Sequence, residues 1–286
     1  MSECPSCHRP ASKSGARCLY CGGPLPNAAA LPTEEPSAAN RWLLVLDLQG
    51  ATPRALSKNL ELSRFAADQL ARRGGFHLVS IGEAGEARSA VLRLESDGLS
   101  ALVVSEKDVR EAARPFQAFR GSFHRGALQA SGPEGALEIG KAEALLLVRG
   151  EVVRARQAPL DLKRIEGGPL EPGLRIHLHR LSDPRPLELD PGDFESAEPP
   201  LTGSTLLEIN RGLAELFPSL KEDTGFRHEL PALAPQAPPE AGVSALAHGL
   251  RGEGRGKNEP VILDNLTQFR FYSAWRGTVE RRRANG

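Results

Sequence analysis

The chain has little lysine, few aromatic side chains and no surplus charge of either sign. Among its 286 residues, 36 Lys and Arg balance 36 Asp and Glu, so the formal charge is zero. No global field draws in a polyanion, which argues against a histone-like or membrane-coating role. Lysine supplies only seven of the 36 basic residues, a bias that codon usage in a GC-rich genome explains without arginine-specific chemistry. Apolar runs stay short of the roughly 18 to 20 residues that a membrane span needs. The first residues show neither a basic start leading into an apolar stretch nor a small-residue cleavage site, so a cytoplasmic protein with no membrane partner is expected. Gly 29 and Pro 23 are above the usual share and predict long turns or linkers. At roughly 150 residues per domain the length allows two domains, or three if one is small.

Cysteine is absent after residue 21. The four present are Cys4, Cys7, Cys18 and Cys21, two Cys-x-x-Cys pairs separated by ten residues. Each pair places two thiolates on one side of a tight loop, and two such loops complete a tetrahedron at sulfur-to-zinc distances of about 2.3 Å. Both loops end alike, His8-Arg9-Pro10 after the first and Gly22-Gly23-Pro24 after the second. Gly22 in particular can adopt the positive φ that turns amides back toward sulfur. This pattern resembles the short zinc ribbons at the ends of many bacterial proteins, over residues 1–25. Four sulfurs leave zinc no open position for water or substrate, so the Zn²⁺ is expected to be structural. In so small a piece the metal supplies the folding energy, on the order of 10 to 16 kcal/mol in zinc peptides. The alternatives are a pair of disulfides or a redox-active Cys-x-x-Cys, although the latter needs a strand ahead of Cys4 that the sequence has no room for. His8 reads as a turn residue. Four thiolates and one zinc offset Arg9, Lys13 and Arg17 against Glu3, which leaves a near-neutral ribbon. Nucleic-acid association through Arg9, Lys13, Arg17 and Tyr20 is the alternative use of such a ribbon, and that neutrality argues against it.

Prolines at 26, 32 and 36 mark residues 26–41 as a linker. Beyond it, residues 42–48 form an apolar strand. Thr52 caps a helix starting at Pro53, and Leu56, Leu60, Leu62 and then Phe65, Ala66, Leu70 mark two short helices ended by Gly74-Gly75. A strand over 76–81, a helix over 83–97 with Ala87, Ala90, Val91 and Leu94 on one stripe, a stop at Gly98 and a strand over 101–104 complete the order βααβαβ. That order, with Leu94-Glu95 three residues before Gly98, resembles the C-terminal domain of the bacterial ribosomal stalk protein and the related Clp-protease adaptor fold over residues 42–106. The resemblance implies that the helical hairpin docks other proteins, here with Lys58, Arg64, Arg72 and Arg73 as its charges.

Residues 107–230 are expected to form a β-rich domain. A helix over 107–119 breaks at Pro115, and strands follow at 123–130, 135–139, 144–148 and 152–155 about a turn at Arg149-Gly150, then 174–181 and 187–189. A helix capped by Ser204 turns Leu206, Leu207, Leu213, Leu216 and Phe217 inward. Strands closed by a helix are similar to the order of pleckstrin-homology-type domains. Residues 231–260 read as a second linker with a short helix near 243–250. Residues 261–286 read as an amphipathic helix, with Asn265 and Gln268 as a capping box and Leu266, Phe269, Tyr272 and Trp275 at helical spacing. Phe269, Tyr272 and Trp275 are the candidate partner-binding residues; they either pack on the chain's own domains or fill a partner's groove. Arg281, Arg282 and Arg283 complement the helix dipole.

Other polar groups have plainer readings. His177 and His179 share one face of an alternating strand, opposite Leu174, Ile176 and Leu178, and are expected on the wet side of a sheet rather than on a metal. Asp47 reads as a strand-end cap, and Asp183, Asp190 and Asp193 as turn residues between prolines. The glycines of residues 252–256 follow no strand and read as flexible chain. No Gly-rich phosphate loop, Gly-x-Ser-x-Gly turn or His-Glu-x-x-His helix occurs. The sequence therefore predicts an α+β protein of three parts, a zinc ribbon, a small βααβαβ domain and a β-rich domain with a C-terminal helix. Its expected role is that of a non-enzymatic zinc-binding adaptor with a protein partner.

Overall fold

A computed structural model describes residues 2–3, 10–11, 41–124, 126–157, 171–196, 205–226, 251–253 and 261–285. The chain divides into two compact units, Met1–Ala38 and Ala39–Gly286. In the first, β1 (Ser2–Glu3) pairs antiparallel with β2 (Pro10–Ala11), Ser2 opposite Ala11 and Glu3 opposite Pro10. The rest of this unit, the four cysteines included, lies outside the described residues, and of the linker expected over 26–41 only Arg41 is described, as the first residue of a strand.

The second unit opens with the expected βααβαβ order. It runs β3 (Arg41–Asp47), α1 (Pro53–Leu60), α2 (Arg64–Arg73), β4 (Phe76–Glu83), α3 (Ala84–Ser96) and β5 (Ser100–Ser105). Thr52 caps α1 by accepting from the Ala55 amide, Pro53 sits in the first turn, and Ser63 caps α2 in the same way through Ala66. The sheet is antiparallel in the order β4-β3-β5. Leu44, Leu46 and Leu48 point to one side, where Leu56, Ala67, Leu70 and Leu94 of the three helices cover them. Leu43 and Val45, with Phe76, Leu78 and Val104, point to the other side. Strand alternation alone requires that this second apolar face be covered too.

What covers it comes from the far end of the chain. After α4 (Glu106–Ala112) the strands β6 (Phe116–Ala118), β7 (Arg120–His124), β8 (Ala127–Gly132), β9 (Gly135–Gly140), β10 (Ala144–Gln157), β11 (Glu171–Arg180), β12 (Leu187–Leu189) and β13 (Glu195–Ser196) precede α5 (Thr205–Leu216). Then come β14 (Glu222–Asp223), β15 (Arg251–Glu253), β16 (Val261–Asp264) and α6 (Leu266–Asn285). A seven-stranded sheet runs β15-β16-β10-β11-β12-β6, with β14 beside β10, and a four-stranded sheet runs β13-β7-β8-β9. Leu147, Ile176 and Leu178 of the large sheet face Leu128 and Ile139 of the small one and Ile209, Leu213 and Leu216 of α5. Leu146, Val148 and Val152 face the other way, toward α6. Helix α6 thus lies between the large sheet and the β3–β5 sheet, and Phe269, Phe271, Trp275 and Val279 join both to one core. Burying each such aromatic contributes roughly 1.5 to 3 kcal/mol.

Several expectations change here. The parts 42–106 and 107–230 and the C-terminal helix are not separate bodies, because the apolar back of the β3–β5 sheet and the α6 face of β10 share one helix. Residues 144–155 are one continuous strand, not a turn about Arg149-Gly150. Gly150 is there because a Cβ would run into the rings of Phe269 and Phe226. The expected strand over 123–130 is the β7–β8 hairpin, reversing at Gly126 with φ of 83°. The helix after residue 106 stops at Ala112, and residues 116–118 pair as a strand with β12. Of the inward leucines proposed for α5, Leu207 is 56 % exposed, while Ile209 is buried. Residues 251–253, expected within a linker, and 261–264, expected within a helix, pair with each other as strands. Ser204 and the helix near 243–250 lie outside the described residues. No helix among the described residues is long and apolar enough to cross a membrane.

Candidate functional site

Of the residues singled out in the sequence, Cys4, Cys7, Cys18 and Cys21 lie outside the described residues, and only the β1–β2 pairing that flanks the first cysteine pair is in view. Phe269, Tyr272 and Trp275 are fully in view and are buried in their own chain, with exposures of 0, 8 and 3 %. Their reading as a partner face is therefore corrected: the stripe is covered by β10, β14 and the β3–β5 sheet. The helix is not amphipathic either, since every residue from Phe271 to Glu280 is buried, the pattern of a helix enclosed on all sides.

His177 and His179 sit where that enclosure closes. They project from β11 toward α6, not toward solvent, and both rings have zero exposure. The wet-face expectation fails because the sheet is covered on both faces. Ser273 of α6 stands between the imidazoles. Its Oγ is 2.8 Å from His177 Nδ1 and 2.8 Å from His179 Nε2. His177 Nε2 lies 2.9 Å from Glu188 Oε2 on β12, and Arg270 donates to both Glu188 oxygens at 2.8 and 2.6 Å. Phe269 packs on the His177 ring with centroids 4.6 Å apart. One turn beyond Ser273, Gly277 lies against His179, and any Cβ there would overlap the ring.

The protonation states follow from this geometry. Burial opposes ionisation of Glu188, but hydrogen bonds from Arg270 and His177 outweigh it and hold the carboxyl at about 2. Burial lowers His177 against the pull of Glu188, and burial together with His177 and Arg281 lowers His179 well below its ordinary value. Both rings are neutral, which fixes a single proton order. His179 Nε2–H donates to Ser273, the Ser273 hydroxyl donates to His177 Nδ1, and His177 Nε2–H donates to the Glu188 carboxylate. Hydroxyl, imidazole and carboxylate in series are the parts of an acyl-transfer triad. Here Ser273 and both rings have zero exposure, and the hydroxyl is held between the two imidazoles. Three of the four ring nitrogens are engaged in hydrogen bonds, His179 Nδ1 is buried without a hydrogen-bond partner among the described residues, and no group of three or more His, Cys, Asp or Glu among those residues is placed to hold an ion.

The remaining polar residues serve tertiary structure. Asp47 caps its strand end by accepting from the Gln49 amide at 2.9 Å and also pairs with Arg283 at 3.1 Å. Arg281 donates to the Asp183 carbonyl at 2.8 Å and Arg282 to the Val103 carbonyl at 2.5 Å. The terminal arginines thus tie α6 to both sheets rather than only complementing its dipole. Asp183 and Asp190 accept from the amides of Arg185 and Gly192 at 2.8 and 3.0 Å, as turn residues do. Ser273, Glu188, Arg270 and Gly277 were not singled out in the sequence. Their only signal was the aromatic density of the last helix, which demanded a cover without naming it. Comparisons with protein-family models, curated proteins and solved structures found no match.

Proposed function

We propose that this chain is a cytoplasmic zinc-binding adaptor that works by association with a protein partner and not by catalysis. The observation that carries the reading is the Cys4-x-x-Cys7 and Cys18-x-x-Cys21 set, whose spacing suits one tetrahedral zinc saturated by sulfur. The β1–β2 pairing supports it, since it sets Glu3 opposite Pro10, the residues that flank the Cys4 and Cys7 segment in sequence. A compartment that keeps thiols reduced suits the same set. The His177 centre supports the non-catalytic part, because its hydroxyl, imidazoles and carboxylate are spent on one another inside the core. In this reading residues 1–25, with their zinc, are the contact element.

Metal analysis of the purified full chain tests the claim. One zinc per chain is expected, lost in a Cys18→Ser, Cys21→Ser double variant whose Ala39–Gly286 unit still unfolds cooperatively. Crosslinking in the native cell should place partner peptides on residues 1–25, and the double variant should lose them. Two disulfides in place of zinc would overturn the reading. A steep salt-dependent affinity for single-stranded nucleic acid would replace the protein partner with the other one weighed for the ribbon.

A further inference from the structure

A cleft of about 320 Å³ opens where α2 gives way to β4, opposite β14 and α6. Gly74 and Gly75, both at positive φ, turn the chain at its edge. Exposed Arg73, Lys221 and Glu222 stand on the rim, and buried Phe76, Tyr272, Trp275 and Arg276 form the floor. An apolar floor with a few fixed polar groups, at this size, is the make-up of a small-molecule site.

Arg276 is the unusual member of the floor. Its side chain is 2 % exposed, and its guanidinium lies 4.8 Å from the Phe76 ring centre and 5.3 Å from that of Trp275. Nε donates to Asp223 Oδ2, and Nη2 lies 3.7 Å from Glu280. Nη1 is buried and has no acceptor among the described residues. Asp223 does not turn to serve it, because its other oxygen already accepts from the Tyr272 hydroxyl at 2.7 Å and the Gly225 amide at 2.8 Å. A Cβ at Gly225 would stand 2.6 Å from that hydroxyl, so the loop geometry is tied to this residue. Glu222 on the rim is paired with Arg149 at 2.8 Å, and Glu280 with Lys221 at 2.5 Å. The nearby carboxylates are therefore committed elsewhere, and a buried guanidinium donor is held in a fixed plane without its acceptor. Such a donor is matched by the oxygens of a carboxylate or phosphate.

We propose that this cleft binds a small organic anion, an oxyanion carried on a planar apolar body, with the oxyanion accepting from Arg276 Nη1 and the body covering the aromatic floor. The site is independent of the cysteines and adds a ligand to the adaptor reading. The test titrates the full chain with phenyl phosphate, benzoate and uncharged benzyl alcohol, followed by calorimetry and by the emission of Trp275 in a Trp42→Phe background. Saturable binding of one or both anions and none of the alcohol is expected. The tighter of the two identifies the headgroup as phosphate or carboxylate. Arg276→Lys keeps the charge but removes the fork, and should weaken binding by about tenfold or more. Because Arg276→Lys also disturbs a core ion pair, the guanidinium ¹⁵N resonances of the unaltered arginine are followed in parallel, and the Arg276 Nη signals should move to saturation with the ligand. No saturable binding of either anion by the folded protein at millimolar concentration would overturn the proposal. Equal binding of the alcohol, or binding that leaves the Arg276 signals in place, would do the same.

Discussion

One hydroxyl, that of Ser273, serves two imidazoles in the core, and its removal strands a nitrogen on each ring. Ser273→Ala is expected to cost about 1 to 3 kcal/mol in urea unfolding at neutral pH, the penalty of buried polar groups left without partners. Acid acts on the same rings. Burial holds His177 and His179 below their ordinary value, and burial with Arg73 brings His77 down to about 4. Above about pH 6.5 the rings are neutral in the folded and unfolded chain alike, and pH has little effect through them. Below that, the unfolded chain takes up protons that the folded one refuses. Stability is then expected to fall by about 1.4 kcal/mol per pH unit for each fully buried ring until its lowered value is reached. Urea midpoints taken from pH 8 down to pH 4.5 check this. A midpoint that held steady over that range would show the rings to be protonated or solvated.

At the scale of elements, α6 approaches the large sheet closely because position 277 carries no side chain. Gly277→Ala should therefore either push the helix off His179 or displace the ring, with a loss of roughly 1 to 3 kcal/mol for overpacking. Thr52→Ala at the exposed start of α1 should lose about 1 kcal/mol, as an ordinary cap does, and leave the His177 centre untouched. The contrast between these two positions also marks what was legible in the sequence. The βααβαβ order was readable because its signals are local: Thr52 before Pro53, Gly74-Gly75 after α2, and the Ala87 to Leu94 stripe on α3. The His177 centre was not, since its members come from β11, β12 and α6 and meet only when the sheet is covered on both faces. Arg149-Gly150 misled for a related reason. The pair reads locally as a turn, yet Gly150 answers to the ring of Phe269, more than a hundred residues away.

Across the whole molecule, the apolar back of the β3–β5 sheet and the inner face of β10 have α6 as their common cover. A chain ended after residue 264 would leave Leu43, Val45, Leu146 and Val148 against water. Such a truncation is expected to lose cooperative unfolding and to bind an apolar dye, whereas removal of residues 1–38 should leave the thermal transition of the remainder intact. Calorimetry of the two truncations separates these outcomes, and a cooperative transition in the chain ended at 264 would contradict the shared-core arrangement. Arg283 reaching back to Asp47, and Arg282 to Val103, bind the end of α6 to the first strands of the body. During translation, then, β3 to β5 emerge with one side bare and stay so until the ribosome has delivered residue 285. Chaperone contact is expected to persist throughout that interval, and a messenger cut short before the last helix would yield a product fit only for degradation.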